Sequence, residues 1–411
     1  MNQKDKRFFK IAIPVWIGSA VSILGDSTIY AVLPLYVGVL GISLTNAGVL
    51  MGINRMVRLI SNSVCGYFFD FGSRKKIFVG ALFLGAFSNL MFGFCSGFLP
   101  LFIARILWGI AWSGIIIGGT SILLDETTPE TRGKWTGMHY FWLSLGVVLG
   151  FAMGGFLSDK IGFQQAMVVN GFISLAGAFF ALIFLPNVEV HKKEKMSFAN
   201  FKKSLIYKVD SKLVFFASIY GISRLIFSGF IVASLLSVIT REKISIFVVG
   251  IGLATLTGLI GGIRMIVEMC ITPFVGYFSD KFKNRLHAVV IILLLGVAGL
   301  FFITLAPPYM TLLGLLLCTV PGGGITVLVR TLVADYTADK ENQGRSLGFV
   351  LTVGDLASAI GPMFAFQLLN FMGLDTIYRV LSLILILYVI VVMVYVRRER
   401  KSRTETESGE R

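Results

Sequence analysis

Charge is scarce in this chain. Only 14% of its 411 residues are charged, against about 25% in a soluble domain, and the mean hydropathy is +0.82. Water is therefore not its solvent. Cysteine is scarce too. Cys65, Cys95, Cys270 and Cys318 all fall in apolar stretches, which excludes a disulfide framework or a C-x-x-C metal site. The three histidines, His139, His191 and His287, are scattered and make no metal site, and no cofactor is implied. A G-x-x-x-x-G-K-[ST] phosphate loop is absent, as are the H-E-x-x-H and G-x-S-x-G motifs. The chain thus lacks the nucleotide site of an ATP-driven pump and the signatures of a membrane-embedded hydrolase.

Apolar residues make up 55% of the chain, gathered in long runs. Crossing ~30 Å of hydrocarbon takes about 20 residues as a helix. Polar punctuation separates twelve runs, at 11–38, 46–69, 77–95, 100–124, 136–157, 164–186, 213–239, 246–278, 286–305, 310–334, 346–369 and 377–396. This predicts an all-α membrane protein with twelve transmembrane helices. The first run exceeds a signal-peptide apolar region and lacks an A-x-A cleavage site, so it is read as retained. Of 37 basic residues, 27 fall in segments on one side and four on the other (Lys160, Arg241, Lys243 and Arg379). The positive-inside rule makes the richer side cytoplasmic and puts both termini there, in a multi-pass protein of the cell membrane. The net charge of +15 reads as orientation and affinity for anionic lipid heads rather than for nucleic acid.

Outer turns are short and marked by Gly or Pro, as in Ser96-Gly97-Phe98-Leu99-Pro100 and Ala306-Pro307-Pro308. The expected organisation is a six-helix half at 1–186, a cytoplasmic linker at 187–212, a second six-helix half at 213–396 and a polar, disordered tail from 397 to 411. Within the linker, Phe198, Phe201, Leu205 and Ile206 recur at helical spacing beside Lys202, Lys203 and Lys208. That pattern suits a short helix on the inner leaflet, or a plain linker.

The chain also repeats itself. Gly52-Ile53-Asn54-Arg55-Met56-Val57-Arg58 runs on to Gly66-Tyr67-Phe68-Phe69-Asp70, and Gly262-Ile263-Arg264-Met265-Ile266-Val267-Glu268 to Gly276-Tyr277-Phe278-Ser279-Asp280. Seven pairs are identical at one spacing, among them 52/262, 57/267, 66/276 and 70/280. Gly150 and Gly361, the latter followed by Pro362, form a weaker echo. An even number of spans between copies gives both the same orientation, hence two pseudo-symmetric six-helix halves related by an axis along the membrane normal.

At these residues the chain resembles the major facilitator superfamily, across essentially its whole length. The loop after span two is similar to that family's Gly-x-x-x-Asp-Arg-x-Gly-Arg-Arg signature, with Gly66, Asp70, Arg74 and Lys75 matching, Phe71 in place of the Arg and the second Gly one residue early at Gly72. Gly276 and Asp280 repeat it. Arg105-Ile106-Leu107-Trp108-Gly109 resembles the family's fourth-helix Arg-x-x-x-Gly motif. The segment Gly146 to Gly155 resembles the fifth-helix Gly-x-x-x-Gly-Pro-x-x-Gly-Gly motif of its drug/proton antiporter branch, with Phe151 where that motif has Pro. The resemblance implies transport by rocking one half against the other. It gives Gly66, Asp70, Arg74, Lys75, Arg105, Gly150, Gly276, Asp280, Gly361 and Pro362 conformational roles, through close helix approach at Gly and helix-end charges.

Seven charges lie deep in the apolar spans: Asp26, Arg55, Arg58, Arg224, Arg264, Glu268 and Asp355. At a rise of ~1.5 Å per residue, Arg58, Arg224 and Glu268 stand about 18 Å from the cytoplasmic edge, Asp355 about 15 Å and Asp26 about 24 Å. Each costs about 2.5–3.5 kcal/mol even on lenient insertion scales, roughly 20 kcal/mol together, unless they pair or line a wet cavity. Packing alone gives no reason for that cost. Arg55, Arg58 and Asn62 share a helix face, so a cavity with a cationic side suits an anionic or zwitterionic solute. Arg55, Arg58, Asn62, Arg224 and Arg264 are the substrate-binding candidates. Asp26, Glu268 and Asp355 are the proton carriers, Asp26 first because acids on the first helix serve that role in some of the family's drug antiporters. Alternatively, Arg264 pairs with Glu268 on its own helix, and Asp26 with Arg55 or Arg58. Trp108 and Trp112 share a face with Arg105, as cavity wall or as packing, and Pro321-Gly322-Gly323-Gly324 reads as a kink in span ten.

The function expected is a proton-coupled secondary transporter exporting an amphipathic or organic-anion small molecule by alternating access. Import of an organic anion and flipping of a lysolipid-like molecule are the alternatives within transport; an enzyme or a non-transporting receptor lies outside it. The expected partners are the substrate, protons and the lipid bilayer, for a chain acting as a monomer.

Overall fold

The structure is a computed structural model describing residues 3–128, 131–187, 209–241, 251–282, 284–305, 307–337 and 343–409, without the side chains of 3–6, 70, 71, 343, 344 and 399–409. The linker helix expected near Phe198, and His191, lie outside these residues.

No strand occurs among the described residues. The helices are α1 (Gln3–Ser22), α2 (Leu24–Val32), α3 (Leu44–Phe71), α4 (Arg74–Phe94), α5 (Phe98–Asp125), α6 (Arg132–Ile161), α7 (Phe163–Phe184), α8 (Ser211–Ser223), α9 (Ile231–Arg241), α10 (Leu253–Asp280), α11 (Leu286–Ile303), α12 (Pro308–Leu317), α13 (Thr319–Tyr336), α14 (Gln343–Leu369) and α15 (Leu374–Gly409). Eleven helical segments among the described residues are long and apolar enough to cross a bilayer. Absent from those eleven is α3, which has the length, 28 residues, but carries Asn54, Arg55, Arg58 and Asn62 along it. Large apolar side chains face outward, with Ile60 73%, Phe274 72% and Phe371 78% exposed. Such a surface is stable against acyl chains and not against water.

Four local features depart from the expectation. Span one turns at Ile23, so that α2 begins two residues before Asp26. Span seven is interrupted by a π-helical segment at Arg224–Phe230. Span ten turns at Cys318, one residue ahead of α13. That break lies one turn ahead of Pro321, which has no N–H to give the Leu317 carbonyl and whose ring crowds it, so the kink expected of the Pro321–Gly324 run falls just before the run, whose own residues are helical. The tail expected to be disordered continues α15 to Gly409. Its Arg, Lys and Glu residues are good helix formers, and no Pro or Gly intervenes before that point.

By packing, the chain forms two compact units. One comprises Met1–Lys208 with Ser245–Met265 and Pro362–Phe366; the other comprises Val209–Ile244, Ile266–Gly361 and Gln367–Arg411. In the first, α4 packs on α5 and α7, α3 on α5, α2 on α6, and α1 on α6 and α7. Trp16 stacks on Trp142 at 6.3 Å, and Phe8 lies 4.3 Å from Trp135. Gly97, at φ +86°, donates its N–H to the Leu40 carbonyl at 2.7 Å; that left-handed backbone is open to Gly and strained for other residues. In the second unit, α11 packs on α12, α13 and α15, and α8 on α13.

Candidate functional site

In the first unit the deep charges gather around α2. Asp26 lies in its first turn, where the helix dipole favours an anion. Its partner is neither Arg55 nor Arg58. Arg105 of α5 donates to the Asp26 carboxylate at 2.5 Å, and the two side chains are 1% and 14% exposed. A second bond, from Arg105 Nε to the Leu50 carbonyl at 2.7 Å, ties the guanidinium to α3. Tyr30, one turn beyond Asp26, completes the cluster. Its hydroxyl donates to the Met51 carbonyl at 2.6 Å and meets Asn54 Oδ1 at 3.2 Å. Arg55 and Arg105 stand 5.0 and 5.5 Å from its ring centroid, within cation–π range. Arg105, expected only as a hinge residue, is thus the buried counter-charge. The sequence does not mark Tyr30 or Asn54 as site residues beyond the place of Asn54 in the repeat and of Tyr30 at i+4 from Asp26.

Arg58 and Asn62 continue the α3 face, half-buried, and the Asn62 side-chain oxygen is buried without a hydrogen-bond partner among the described residues. Trp108 is packing: it is 1% exposed, lies against Gly85 and stacks on Trp112 at 5.9 Å. Arg264 also belongs to this unit and is 6% exposed.

In the second unit Arg224 opens the π segment, donating to Ser228 at 2.9 Å and lying 5.8 Å from the Tyr220 ring. A π segment widens a helix by one residue and often marks a functional position. Glu268 lies against Gly322 and Gly323 of α13. Asp355 is half-buried and forms no ion pair among the described residues. It is the least compensated of the three acids.

The glycines separate into two groups. A Cβ on Gly150 would stand 2.6 Å from the Ser27 Cβ, and one on Gly361 2.6 Å from the Gly229 Cα, so both are close crossings, the first on α2 and the second on the π segment. Pro362 presents its carbonyl where a Cβ on Gly48 would come within 2.7 Å. Gly66 and Gly276 do not mediate the close approach expected of them. Among the described residues, nothing lies within 4 Å of a Cβ on Gly66, and only Val327, at 3.6 Å, meets one on Gly276.

The helix-end charges repeat as well. Arg74 meets Asp125 at 3.0 Å, while Arg285 holds Asp280 at 2.5 Å and Asp335 at 2.9 Å. Asp125 and Asp335 keep the spacing of the sequence repeat, so the chain itself carries this signal. Burial opposes the charge on Arg285, but its hydrogen bonds and attraction to the two carboxylates outweigh that and hold its pKa above the ordinary value. Lys75 is half-buried, and the Asp70 side chain lies outside the described residues. A further contact was invisible in sequence. The Asp159 carboxylate, at the end of α6, accepts from the Thr255 N–H and hydroxyl, both at 2.6 Å, and from the Ala254 N–H at 3.3 Å. It caps α10 from 96 residues away.

A chain whose described residues form helices only, with bilayer-length apolar segments, a sealed Asp26–Arg105 pair and glycine-mediated helix crossings, has the architecture of a multi-pass membrane protein. The family model for the Major Facilitator Superfamily matches residues 15–362 and again 225–411, and the chain belongs to that superfamily, a family of transporters and not of enzymes. It is 23% identical over 386 residues to an uncharacterized MFS-type transporter of Methanocaldococcus jannaschii, covering 92% of this chain and 95% of that protein. It is 23% identical over 351 residues to the quinolone resistance protein NorA of Staphylococcus aureus, covering 83% of this chain and 85% of that protein. Among solved structures, the nucleoside transporter NupG matches with a TM-score of 0.73 at 13% identity, covering 93% of this chain and 98% of that one.

Proposed function

We infer that this transporter exports amphipathic or organic-anion small molecules in exchange for protons. The observation that carries the reading is the Asp26–Arg105 pair, a carboxylate 14% exposed beside a sealed guanidinium. Protonating Asp26 forfeits that attraction and leaves Arg105 with the Leu50 carbonyl and the Tyr30 ring, so proton uptake and helix packing are coupled at one point. Arg55, Arg58, Asn62, Arg224 and Arg264 contact the solute or its counter-charge, and Glu268 and Asp355 are secondary proton sites. The two halves, 1–186 and 213–396, rock about the linker 187–212, each held together as a body by its own glycine crossing, Gly150 on α2 and Gly361 on the π segment, with Asp70, Arg74, Lys75 and Asp280 at the moving ends. The protein works as a monomer in the cell membrane with both termini cytoplasmic. A relative named for quinolone resistance supports export, since a membrane transporter confers resistance by removing a compound.

Import of an organic anion is the second reading, favoured by the cationic α3 face. Both are tested in proteoliposomes, by following fluorescent amphipathic anions and cations under an imposed pH gradient. Gradient-driven flux of an amphipathic compound in the export direction, lost in Asp26→Asn but with binding retained, is expected. Undiminished proton-driven flux in Asp26→Asn removes the carrier assignment, and flux only in the inward direction selects import. If Asp26→Asn does not fold, the Asp355→Asn variant and the gradient dependence of the wild type still decide proton coupling.

A further inference from the structure

The second unit holds a small cavity unrelated to the buried charges. It has a volume of about 300 Å³ and lies between the start of α11 and α15, walled by Val290, Ile291, Met393 and Val396. Two basic side chains, His287 and Arg397, line the same cavity. Arg398 follows on α15, and all three are exposed. Phe282 forms the partition. It stacks on His287 at 6.4 Å and also lines a neighbouring polar cavity of about 490 Å³ that contains Asp280, Arg285 and Asp335. Both carboxylates there are engaged with Arg285. These acids thus line the cavity on the other side of Phe282, and among the described residues the polar groups lining the apolar slot are basic.

We propose that this slot is a binding site for an anionic phospholipid, with an acyl chain between α11 and α15 and the phosphate against Arg397 and His287. At ~30 Å³ for a group the size of a water molecule, the slot takes about ten such groups, enough for part of one chain. Acyl chains are as apolar in the bilayer as in the slot, so the walls confer little preference for one lipid over another. Selection comes from the headgroup. One Arg near a membrane surface attracts an anionic lipid by about 1 kcal/mol, or about fivefold. A headgroup with its own ammonium would meet Arg397 and Arg398 with like charge.

The test is native mass spectrometry of the full-length protein extracted from nanodiscs containing equal phosphatidylglycerol and phosphatidylcholine. Wild type is expected to retain phosphatidylglycerol over phosphatidylcholine by about fivefold or more. Arg397→Gln should bring the two toward parity, and Val290→Trp, which fills the slot, should lower retention of both. Equal retention by wild type, or an unchanged preference in Arg397→Gln, overturns the proposal. None of these positions touches the Asp26 cluster, so gradient-driven flux measured in parallel checks that each variant is folded.

Discussion

The energy stored in the Asp26–Arg105 contact can be measured by a double-mutant cycle. Arg105 is 1% exposed and its carboxylate partner is 2.5 Å away, so neither charge can recover full hydration when the other is lost. At an effective dielectric of 20, unit charges about 4 Å apart attract by about 4 kcal/mol. Breaking one buried pair by truncation costs about 3–5 kcal/mol, because the remaining charge is stranded. Asp26→Asn and Arg105→Met are each expected to lose stability in that range. The double variant removes both charges and should lose much less than the sum, giving a coupling of about 2–3 kcal/mol. Reversible unfolding in mixed micelles, followed by tryptophan fluorescence, supplies the four stabilities; Trp108 lies one turn from Arg105 and reports on the site. Losses that add to within about 0.5 kcal/mol would refute the reasoning and leave the two residues as independent polar groups.

Three other outcomes follow from the packing. Asp159→Ala should uncap α10, costing about 1–2 kcal/mol, visible as faster amide exchange at 254 and 255 but not in the middle of that helix. Gly361→Val drives a side chain into Gly229 and should cost 1–3 kcal/mol or block folding, whereas Gly276→Ala, with only Val327 nearby at 3.6 Å, should be nearly neutral; expression and monodispersity in detergent compare them. Gly97→Ala places a Cβ on a backbone at φ +86° and should lower thermal stability by about 1–2 kcal/mol, even though nothing crowds that site.

How much of this was legible in the chain depends on the range of each interaction. The apolar runs, the shared Gly and Asp of the repeat, and the mid-span charges are local properties, and among the described residues the repeat and the mid-span charges fall in helical segments, as the pattern predicts. The helix interruptions were less legible. The π segment at Arg224–Phe230 has no Pro to mark it, while the break at Cys318 falls one turn ahead of Pro321 rather than in the Gly run that follows it. The close approach expected at Gly66 does not occur among the described residues: a small residue permits close approach, but only a neighbour makes it occur.

Hydropathy and charge bias by themselves determined that this chain lives in a bilayer, as helices, with ionisable groups that must find company there. They did not determine the company. Asp26 had Arg55 and Arg58 as plausible partners, yet it pairs with a residue 79 positions away. Asp159 serves a helix that begins almost a hundred residues later, and Gly229 and Gly361 face each other across much of the chain. Such choices depend on which helix faces meet, a property of the packed bundle that no single run of residues carries.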